Sequence, residues 1–178
     1  MSRSETGSGE QGERRLYPGV KRALTAYLRQ GDDQIAILLE ETADGFSEGT
    51  KALLPDNILF LLPNRAARPD LFGHIGPDCR NSYGVRDFLL TAEVKNSPPT
   101  LGDVYQAKLY GELFSAPVAL LIATELPDEG LRRLLIGRPE LLSYSAGYQR
   151  LYVCCFSEQN EVLDRWVGET EPRKKRQE

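Results

Sequence analysis

Glu93 and Lys95 are the residues of this chain whose types and spacing point most directly to chemistry. They end the apolar segment 87–95, and a strand over this segment places every second side chain on the same face. Glu93 and Lys95 therefore lie side by side. A carboxylate beside an ammonium can hold a divalent cation while the lysine contacts a water molecule or a phosphate oxygen. The same spacing also occurs in plain surface ion pairs, so it needs a second observation.

Asp70 supplies that second observation, because it is a carboxylate on the strand predicted over residues 68–75. The stretch between this strand and segment 87–95 is rich in glycine, proline and asparagine, which are typical of turns. If the two strands pair antiparallel about a centre near residues 81 and 82, Asp70 lies opposite Glu93. Two ionised carboxylates in contact repel each other, and a hard cation such as Mg²⁺ relieves the repulsion by binding oxygens from both.

Two motifs in this region resemble those of a known family. Pro69-Asp70 followed by Glu93-Val94-Lys95 resembles the active-site signature of the PD-(D/E)xK nuclease superfamily, which has the restriction-endonuclease-like fold. On the helix predicted to follow, Gln106 and Tyr110 resemble the QxxxY motif of the exonuclease-like branch of that superfamily. Their i, i+4 spacing places both on one helix face. The resemblance spans about residues 30–125 and includes the predicted order of helices and strands.

This resemblance implies a metal-dependent nuclease that hydrolyses phosphodiester bonds, with DNA as the favoured nucleic acid and Mg²⁺ or Mn²⁺ as cofactor. It implies that Asp70 and Glu93 are metal ligands. Lys95 would orient the attacking water and stabilise charge on the phosphate, and Gln106 and Tyr110 would support substrate contacts. A homodimer is a further expectation.

Other residues compete for, or extend, these roles. The branch often carries another acidic metal ligand on its first helix, and Glu40 or Glu41 matches that place, with Glu40 taken as the candidate ligand. Asp78 competes with Asp70 for the first carboxylate, although its surroundings are more typical of a turn. Lys108 is a reserve candidate for the lysine role.

Basic residues near the proposed site have two interpretations. They could form a cationic rim for a phosphodiester backbone, or they could be ordinary solvated loop residues. These residues are Arg65, Arg68, Arg80 and Arg86. The chain as a whole has 26 acidic and 22 basic residues and a formal charge of −4. Because such a surface is not broadly cationic, the alternative function is a non-catalytic nucleic-acid or protein interaction module on the same fold.

The composition excludes several other kinds of chemistry. A single histidine, His74, rules out zinc fingers and histidine-based metalloprotease motifs, and it leaves only one histidine for a hydrolytic triad. The chain has no GxSxG elbow to support such a triad and no glycine-rich nucleotide loop. Cys79, Cys154 and Cys155 do not have the spacing of metal ligands and are expected to be reduced thiols.

The elements expected to position the site follow from the apolar periodicity. They are helices over residues 17–30 and 34–42, strands over 58–62, 68–75 and 87–95, a helix over 101–114 capped by Thr100, a central strand over 118–124, helical segments over 128–136 and 140–145, and a strand over 150–156. This order predicts an α/β fold in which a mixed central sheet of about four to five strands is flanked by helices, with an αβββαβ core.

The 178 residues predict a single domain over residues 15–170. Residues 1–14 are predicted to be a disordered tail, and residues 171–178 a charged tail, because apolar residues are almost absent from both. No apolar run approaches the length of a membrane span, and no secretory signal is visible. The expected setting is therefore the cytoplasm, without membrane contact.

Overall fold

A seven-stranded mixed sheet lies at the centre of the part of the chain described by the computed structural model. The described residues are 12–29, 35–54, 56–60, 62–64, 67–77, 88–145 and 149–168. The strands are β1 (Ile35–Glu41), β2 (Leu71–Pro77), β3 (Phe88–Lys95), β4 (Val118–Ala123), β5 (Ser143–Tyr144), β6 (Gln149–Ser157) and β7 (Val162–Asp164). The α/β class and the mixed sheet are confirmed, and the sheet is wider than the four to five strands predicted.

Helices flank this sheet. They are α1 (Tyr17–Arg29), α2 (Glu48–Lys51), α3 (Asp56–Leu59), α4 (Leu101–Leu113) and α5 (Glu129–Gly137), and a 3₁₀ helix (Pro139–Leu142) follows α5. A further helical turn at residues 12–14 precedes α1.

The strand order is β1-β2-β3-β4-β6-β5, and β7 also pairs with β6. Strand β2 pairs antiparallel with both β1 and β3, whereas β4 pairs parallel with both β3 and β6. A parallel connection needs a crossover, and α4 provides the one between β3 and β4. The element order helix, three strands, helix, strand is therefore present.

Two of the predicted elements follow directly from local sequence. Helix α1 buries Val20, Leu24 and Tyr27 at helical spacing. Helix α4 begins at a capping box, in which the Thr100 hydroxyl accepts from the Asp103 backbone N–H and the Asp103 carboxylate accepts from the Thr100 backbone N–H. Both helices are confirmed.

Strand β4 is the central strand that its continuous apolar sequence predicted. Leu120 and Ile122 pack into the core beside α1, and Ala119 and Leu121 pack into the core beneath α4 and α5. A strand buried on both faces needs no polar alternation, which explains the uninterrupted run.

The prediction of a helix over residues 34–42 is wrong, because strand β1 occupies most of this segment. Ile35, Ile37 and Leu39 are half-buried while the residues between them are exposed, so the apolar side chains alternate with period two. The strand pairs with β2 along its whole length. The apolar residues of this short segment satisfied both periods, and the pairing with β2 selected the strand.

The prediction of a strand over residues 58–62 is wrong. Ile58 lies in the short helix α3, and Ile58 and Leu62 pack against a cluster of three phenylalanines. We call this group, formed by Phe46, Phe72 and Phe114, the aromatic cluster. The predicted number of three strands before α4 is still found, because β1 is a strand where a helix was predicted and residues 58–62 are not a strand.

Smaller boundary differences affect the remaining elements. The segment predicted as helical over 140–145 is a 3₁₀ helix that ends at Leu142 and leads into β5. Strand β2 begins at Leu71 rather than at residue 68, so Asp70 lies just ahead of the strand. Within the described ranges, none of the helices combines the length and apolar character that crossing a bilayer would demand.

Candidate active site

Strand β3 places Glu93 and Lys95 next to each other, as the alternation of strand side chains predicted. Leu90, Ala92 and Val94 point into the core beside α1, so Glu93 and Lys95 lie on the opposite face. The Lys95 Nζ lies 2.9 Å from a carboxylate oxygen of Glu93. Glu93 is only 3% exposed, which makes it one of the few buried charged side chains among the described residues.

The register of β2 and β3 is the one predicted for the hairpin. Leu71 pairs with Ala92, and continuing this antiparallel register by one residue brings Asp70 opposite Glu93. The Asp70 carboxylate accepts a hydrogen bond of 2.8 Å from the backbone N–H of Val94. Asp70 is thereby attached to β3 immediately beside Glu93.

The backbone at Asp70 is fixed by the residue that follows β1. The Thr42 backbone N–H donates to the Asp70 carbonyl at 3.0 Å, and the Thr42 hydroxyl donates to the Pro69 carbonyl. Thr42 is fully buried. A buried residue whose backbone and side chain bond two successive carbonyls limits the positions that the Asp70 carboxylate can take.

Tyr17, at the start of α1, holds the other oxygen of the same carboxylate. Its hydroxyl donates to Asp70 at 2.5 Å. Both oxygens of Asp70 are therefore oriented by donors, one from helix α1 and one from strand β3. Sequence reasoning did not single out Tyr17, because its helical spacing indicated only a core position.

Glu13 is the second residue at this site that sequence reasoning missed. Residues 12–14, predicted to belong to a disordered tail, are helical, and the Glu13 carboxylate lies 3.6 Å from the Lys95 Nζ. The available signal was the i, i+4 spacing of Glu13 and Tyr17, which extends the face of α1 back by one turn. That signal is weak in a segment without apolar residues.

Helix α4 brings Gln106 and Tyr110 to the same place, on one helix face as predicted. The Gln106 amide donates to the Tyr110 hydroxyl at 2.9 Å. Asp103, which caps α4, also approaches the Lys95 Nζ to 3.7 Å. The cap that starts the helix thus also orients it towards the end of β3.

These side chains surround a cavity of about 390 Å³, which we call the carboxylate cavity. Its lining residues are Glu13, Arg14, Tyr17, Ala43, Arg68, Pro69, Asp70, Glu93, Lys95, Gln106 and Tyr110. All five residues predicted to be catalytic lie on its wall. The elements that meet there are the turn before α1, the segment before β2, the end of β3 and one face of α4.

Burial and mutual repulsion shift the acids of the cavity towards their protonated forms. Burial, and then repulsion by Asp70, raise the pKa of Glu93 to about 8, although Lys95 opposes the shift. Burial also raises the pKa of Asp70, against the hydrogen bonds from Tyr17 and Val94. The pKa of Glu13 is raised by burial as well. Without a metal ion, the acids of the cavity are therefore harder to ionise than ordinary surface acids.

Lys95 itself stays charged. Burial lowers its pKa, but Glu93, Glu13 and Asp70 outweigh that effect and raise the pKa above the usual value of a lysine. An ammonium that keeps its proton can donate hydrogen bonds or stabilise an anion, but it cannot accept a proton near neutral pH.

The donor set fits a hard divalent cation. The cavity wall includes the carboxylates of Asp70 and Glu93, whose oxygens are the ligands that Mg²⁺ and Mn²⁺ prefer, and a cation between them would favour their ionised forms. Within the described ranges, no cluster of three or more histidine, cysteine or acidic side chains forms a ready-made metal site. Mg²⁺ is commonly held by one or two carboxylates together with water and substrate phosphate, which is the arrangement that Asp70 and Glu93 offer.

The prediction that Glu40 or Glu41 supplies an acidic ligand from the first helix does not agree with the structure. Both lie on β1, and neither lines the carboxylate cavity. The Glu40 carboxylate accepts hydrogen bonds from Ser47 and from Thr50, at the start of α2. The acidic residue that does reach the cavity from the helical N-terminal region is Glu13.

The remaining candidates are distributed around the molecule or lie beyond the described ranges. Arg68 lines the cavity, whereas Lys108 on α4 and His74 on β2 do not. Four residues considered for the site fall outside the described residues. These are Asp78, Arg65, Arg80 and Arg86.

The comparisons with known proteins identify no relative. No family model matches this chain. A search of curated proteins also finds no similar sequence. The case for a function therefore rests on the residues and on the geometry described above.

Proposed function

We propose that this protein is a metal-dependent nuclease of the restriction-endonuclease-like fold that hydrolyses phosphodiester bonds in DNA. The observation that carries the proposal is the convergence of Asp70 and Glu93, from neighbouring strands, beside the ammonium of Lys95. The order helix, three antiparallel strands, helix and parallel strand supports the assignment of the fold. Gln106 and Tyr110, on the wall of the same cavity, support the exonuclease-like branch.

Asp70 and Glu93 would hold Mg²⁺ or Mn²⁺, and Glu13 lines the same cavity beside Lys95. When bound, such an ion polarises a phosphate oxygen and lowers the pKa of a coordinated water. Its charge also opposes the burial and the repulsion by Asp70 that raise the pKa of Glu93.

Lys95 supplies the positive charge that the chain itself offers to the reaction. Its ammonium is held between Glu93, Glu13 and Asp103, at distances of 2.9, 3.6 and 3.7 Å. From this position it donates to the attacking water or to a phosphate oxygen, and it stabilises the negative charge that develops on the phosphate.

Tyr17 and Thr42 act through Asp70, and Gln106 acts through Tyr110. The hydroxyl of Tyr17 fixes the Asp70 carboxylate, and Thr42 fixes the backbone that carries it. The hydrogen bond from Gln106 to Tyr110 holds these two side chains together on the cavity wall, where they are placed to contact substrate. Positions held in this way cost little reorganisation during the reaction.

The test is a cleavage assay with the full chain on linear duplex, supercoiled and single-stranded DNA, in Mg²⁺, in Mn²⁺ and in EDTA. We expect cleavage only with metal, and we expect Glu93→Gln and Lys95→Met each to reduce the rate by at least about 100-fold. Lys108→Met is the matched control, because it removes a lysine that does not line the cavity.

Three results would contradict the proposal. These are the absence of cleavage on every DNA form, cleavage that persists in EDTA, and unchanged cleavage by both Glu93→Gln and Lys95→Met. Loss of activity in Lys108→Met together with full activity in Lys95→Met would move the lysine role to helix α4.

A non-catalytic interaction module on the same fold is the second candidate function. The formal charge of −4 favours it, since nucleases usually need a positive track for their substrate. Calorimetric titration with Mg²⁺ and Mn²⁺ separates the two functions. A nuclease binds the ions through Asp70 and Glu93 and loses that binding in Glu93→Gln, whereas an idle site binds neither ion.

A further inference from the structure

A second cavity adjoins the carboxylate cavity and shares Arg68 with it. It has a volume of about 690 Å³ and lies between the loop after β1, helix α2 and the segment around α3. Its wall includes Phe46, Leu59 and Leu62, and Arg68 lines both spaces. We call it the apolar groove. The two cavities therefore meet at Arg68.

Arg68 is anchored by two backbone carbonyls rather than by a carboxylate of the described residues. Its Nε donates to the Leu62 carbonyl at 2.6 Å, and one terminal nitrogen donates to the Pro63 carbonyl at 3.4 Å. Within the described ranges, no carboxylate forms an ion pair with Arg68. Two carbonyl contacts orient the guanidinium without neutralising it, which suits a group that binds an anion.

The remaining terminal nitrogen of Arg68 lies beside Gly45. A Cβ atom built on Gly45 would come within 4.0 Å of it. Gly45 has φ = 127°, a conformation that favours glycine, so the loop after β1 keeps an open backbone at this point. The third guanidinium nitrogen therefore lies beside the loop that borders the apolar groove.

The acids of this region are already paired. Asp44, on the groove wall, accepts two hydrogen bonds from Arg14, at 3.1 and 2.9 Å. Glu48 pairs with Lys51 at 2.6 Å. Since these bases neutralise these acids, the groove side of Arg68 adds little repulsion for an anionic chain.

The groove wall suits unpaired nucleobases. Leu59 is half-buried, and Phe46 and Leu62, although they are only 7% exposed and pack with the aromatic cluster, line the groove with apolar atoms rather than hydrogen-bonding groups. Nucleobases have apolar faces that pack against such surfaces, and a duplex hides these faces by stacking. A phosphate on Arg68 with bases against the groove is the arrangement of a single strand.

We propose that Arg68 binds the phosphate next to the one that is cleaved, and that the substrate enters the site as a single strand whose unpaired bases lie in the apolar groove. This inference rests on the proposed nuclease function and specifies its substrate. Arg68 is then a substrate-binding residue, and its contribution appears in affinity rather than in the chemical step.

The first part of the test measures binding in EDTA, where no cleavage occurs. The probes are a fluorescein-labelled single-stranded DNA, the duplex of the same sequence, and a strand of the same length with abasic spacers. We expect the wild-type chain to bind the single strand more tightly than either of the other two. Equal or tighter binding of the duplex or of the abasic strand would overturn the proposal.

The second part compares Arg68→Met with Arg133→Met. Both remove one arginine charge, but Arg133 is an exposed residue of α5 and lines neither cavity. We expect Arg68→Met to bind the single strand about tenfold more weakly and to lower the salt dependence by about one phosphate contact, while Arg133→Met matches the wild type. An affinity and salt dependence of Arg68→Met equal to those of Arg133→Met would overturn the proposal.

Kinetics separate this inference from the proposed function. With Mg²⁺, we expect Arg68→Met to raise KM by about tenfold and to leave kcat within about twofold of the wild type. A wild-type chain that cleaves DNA together with an unchanged KM in Arg68→Met overturns the Arg68 assignment alone. A wild-type chain that neither binds nor cleaves any nucleic acid overturns both proposals. If circular dichroism shows that Arg68→Met does not fold, the comparison of the three wild-type probes decides the outcome.

Discussion

The carboxylate cavity and the aromatic cluster lie on the same face of the segment that contains β2, where Asp70 and Phe72 are two residues apart. Burial has opposite effects in these two regions. Phe72 packs against Phe46 and Phe114, with ring centroids 5.5 and 5.4 Å away. Asp70 and Glu93 are buried beside each other as acids. In the cluster, burial stabilises the fold, whereas in the cavity burial destabilises the charged forms of the acids. Stability and chemistry are therefore concentrated in neighbouring but separate regions.

The largest effect is expected in the aromatic cluster. Phe114 is completely buried, so Phe114→Ala removes a large side chain and leaves a hole, and the free energy of unfolding should fall by about 3–5 kcal/mol. Urea denaturation measures this loss. Phe60 is 85% exposed, and Phe60→Ala is the control that should change stability by less than about 0.5 kcal/mol. Equal losses in the two variants would show that the cluster is not a stability centre.

The carboxylate cavity should give the metal-free protein a stability that falls as pH rises. The pKa of Glu93 is about 8 in the folded chain and near 4.5 in the unfolded chain. Between these values the folded state holds a proton that the unfolded state has lost, so raising the pH destabilises the fold by roughly 1.4 kcal/mol per pH unit. Urea denaturation in EDTA across this pH range measures the slope. Glu93→Gln should remove most of it, and an equal slope in the variant would contradict the account of the cavity.

Tyr17→Phe should produce a moderate effect on metal binding. The variant keeps the ring of α1 but removes the hydroxyl that donates to Asp70, so the carboxylate loses its orientation and its pKa rises further. We expect the affinity for Mn²⁺ to fall by about 10–100-fold, as measured by calorimetry. Tyr27→Phe, on the same helix and away from the cavity wall, is the matched control. An unchanged affinity in Tyr17→Phe would show that the hydrogen bond does not position Asp70.

The smallest effect is expected at Glu40. Glu40→Gln weakens the hydrogen bonds to Ser47 and Thr50, so it should lower the free energy of unfolding by about 1 kcal/mol. Metal affinity and nuclease activity should stay at the wild-type level, because Glu40 does not line the carboxylate cavity. A loss of Mn²⁺ binding in this variant would restore Glu40 as a ligand.

The parts of the site that could be predicted from sequence are those set by local geometry. The alternation along β3 placed Glu93 beside Lys95, and the turn-rich stretch before it led to the register that brings Asp70 opposite Glu93. The i, i+4 spacing placed Gln106 with Tyr110. Each of these inferences uses either the repeat of side chains along one element or the pairing of two strands that follow each other in the chain.

The errors arose where distant contacts select the outcome. Residues 35–41 satisfy both a helical and an alternating pattern, and pairing with β2 makes them a strand. Ile58 and Leu62 look like part of a strand but join the aromatic cluster through a short helix. Short apolar segments are ambiguous in this way, because the neighbours that they pack against are remote in sequence.

Residue types and local spacing were enough to assemble two acids, a lysine and a polar helix face on elements that could meet. The folded chain alone revealed that Glu13 lines the carboxylate cavity, that Glu40 binds the start of α2 instead, and that Arg68 lines two cavities. The physical reason is the range of the interactions: periodicity acts over a few residues, whereas burial and charge compensation join segments that only tertiary packing brings together.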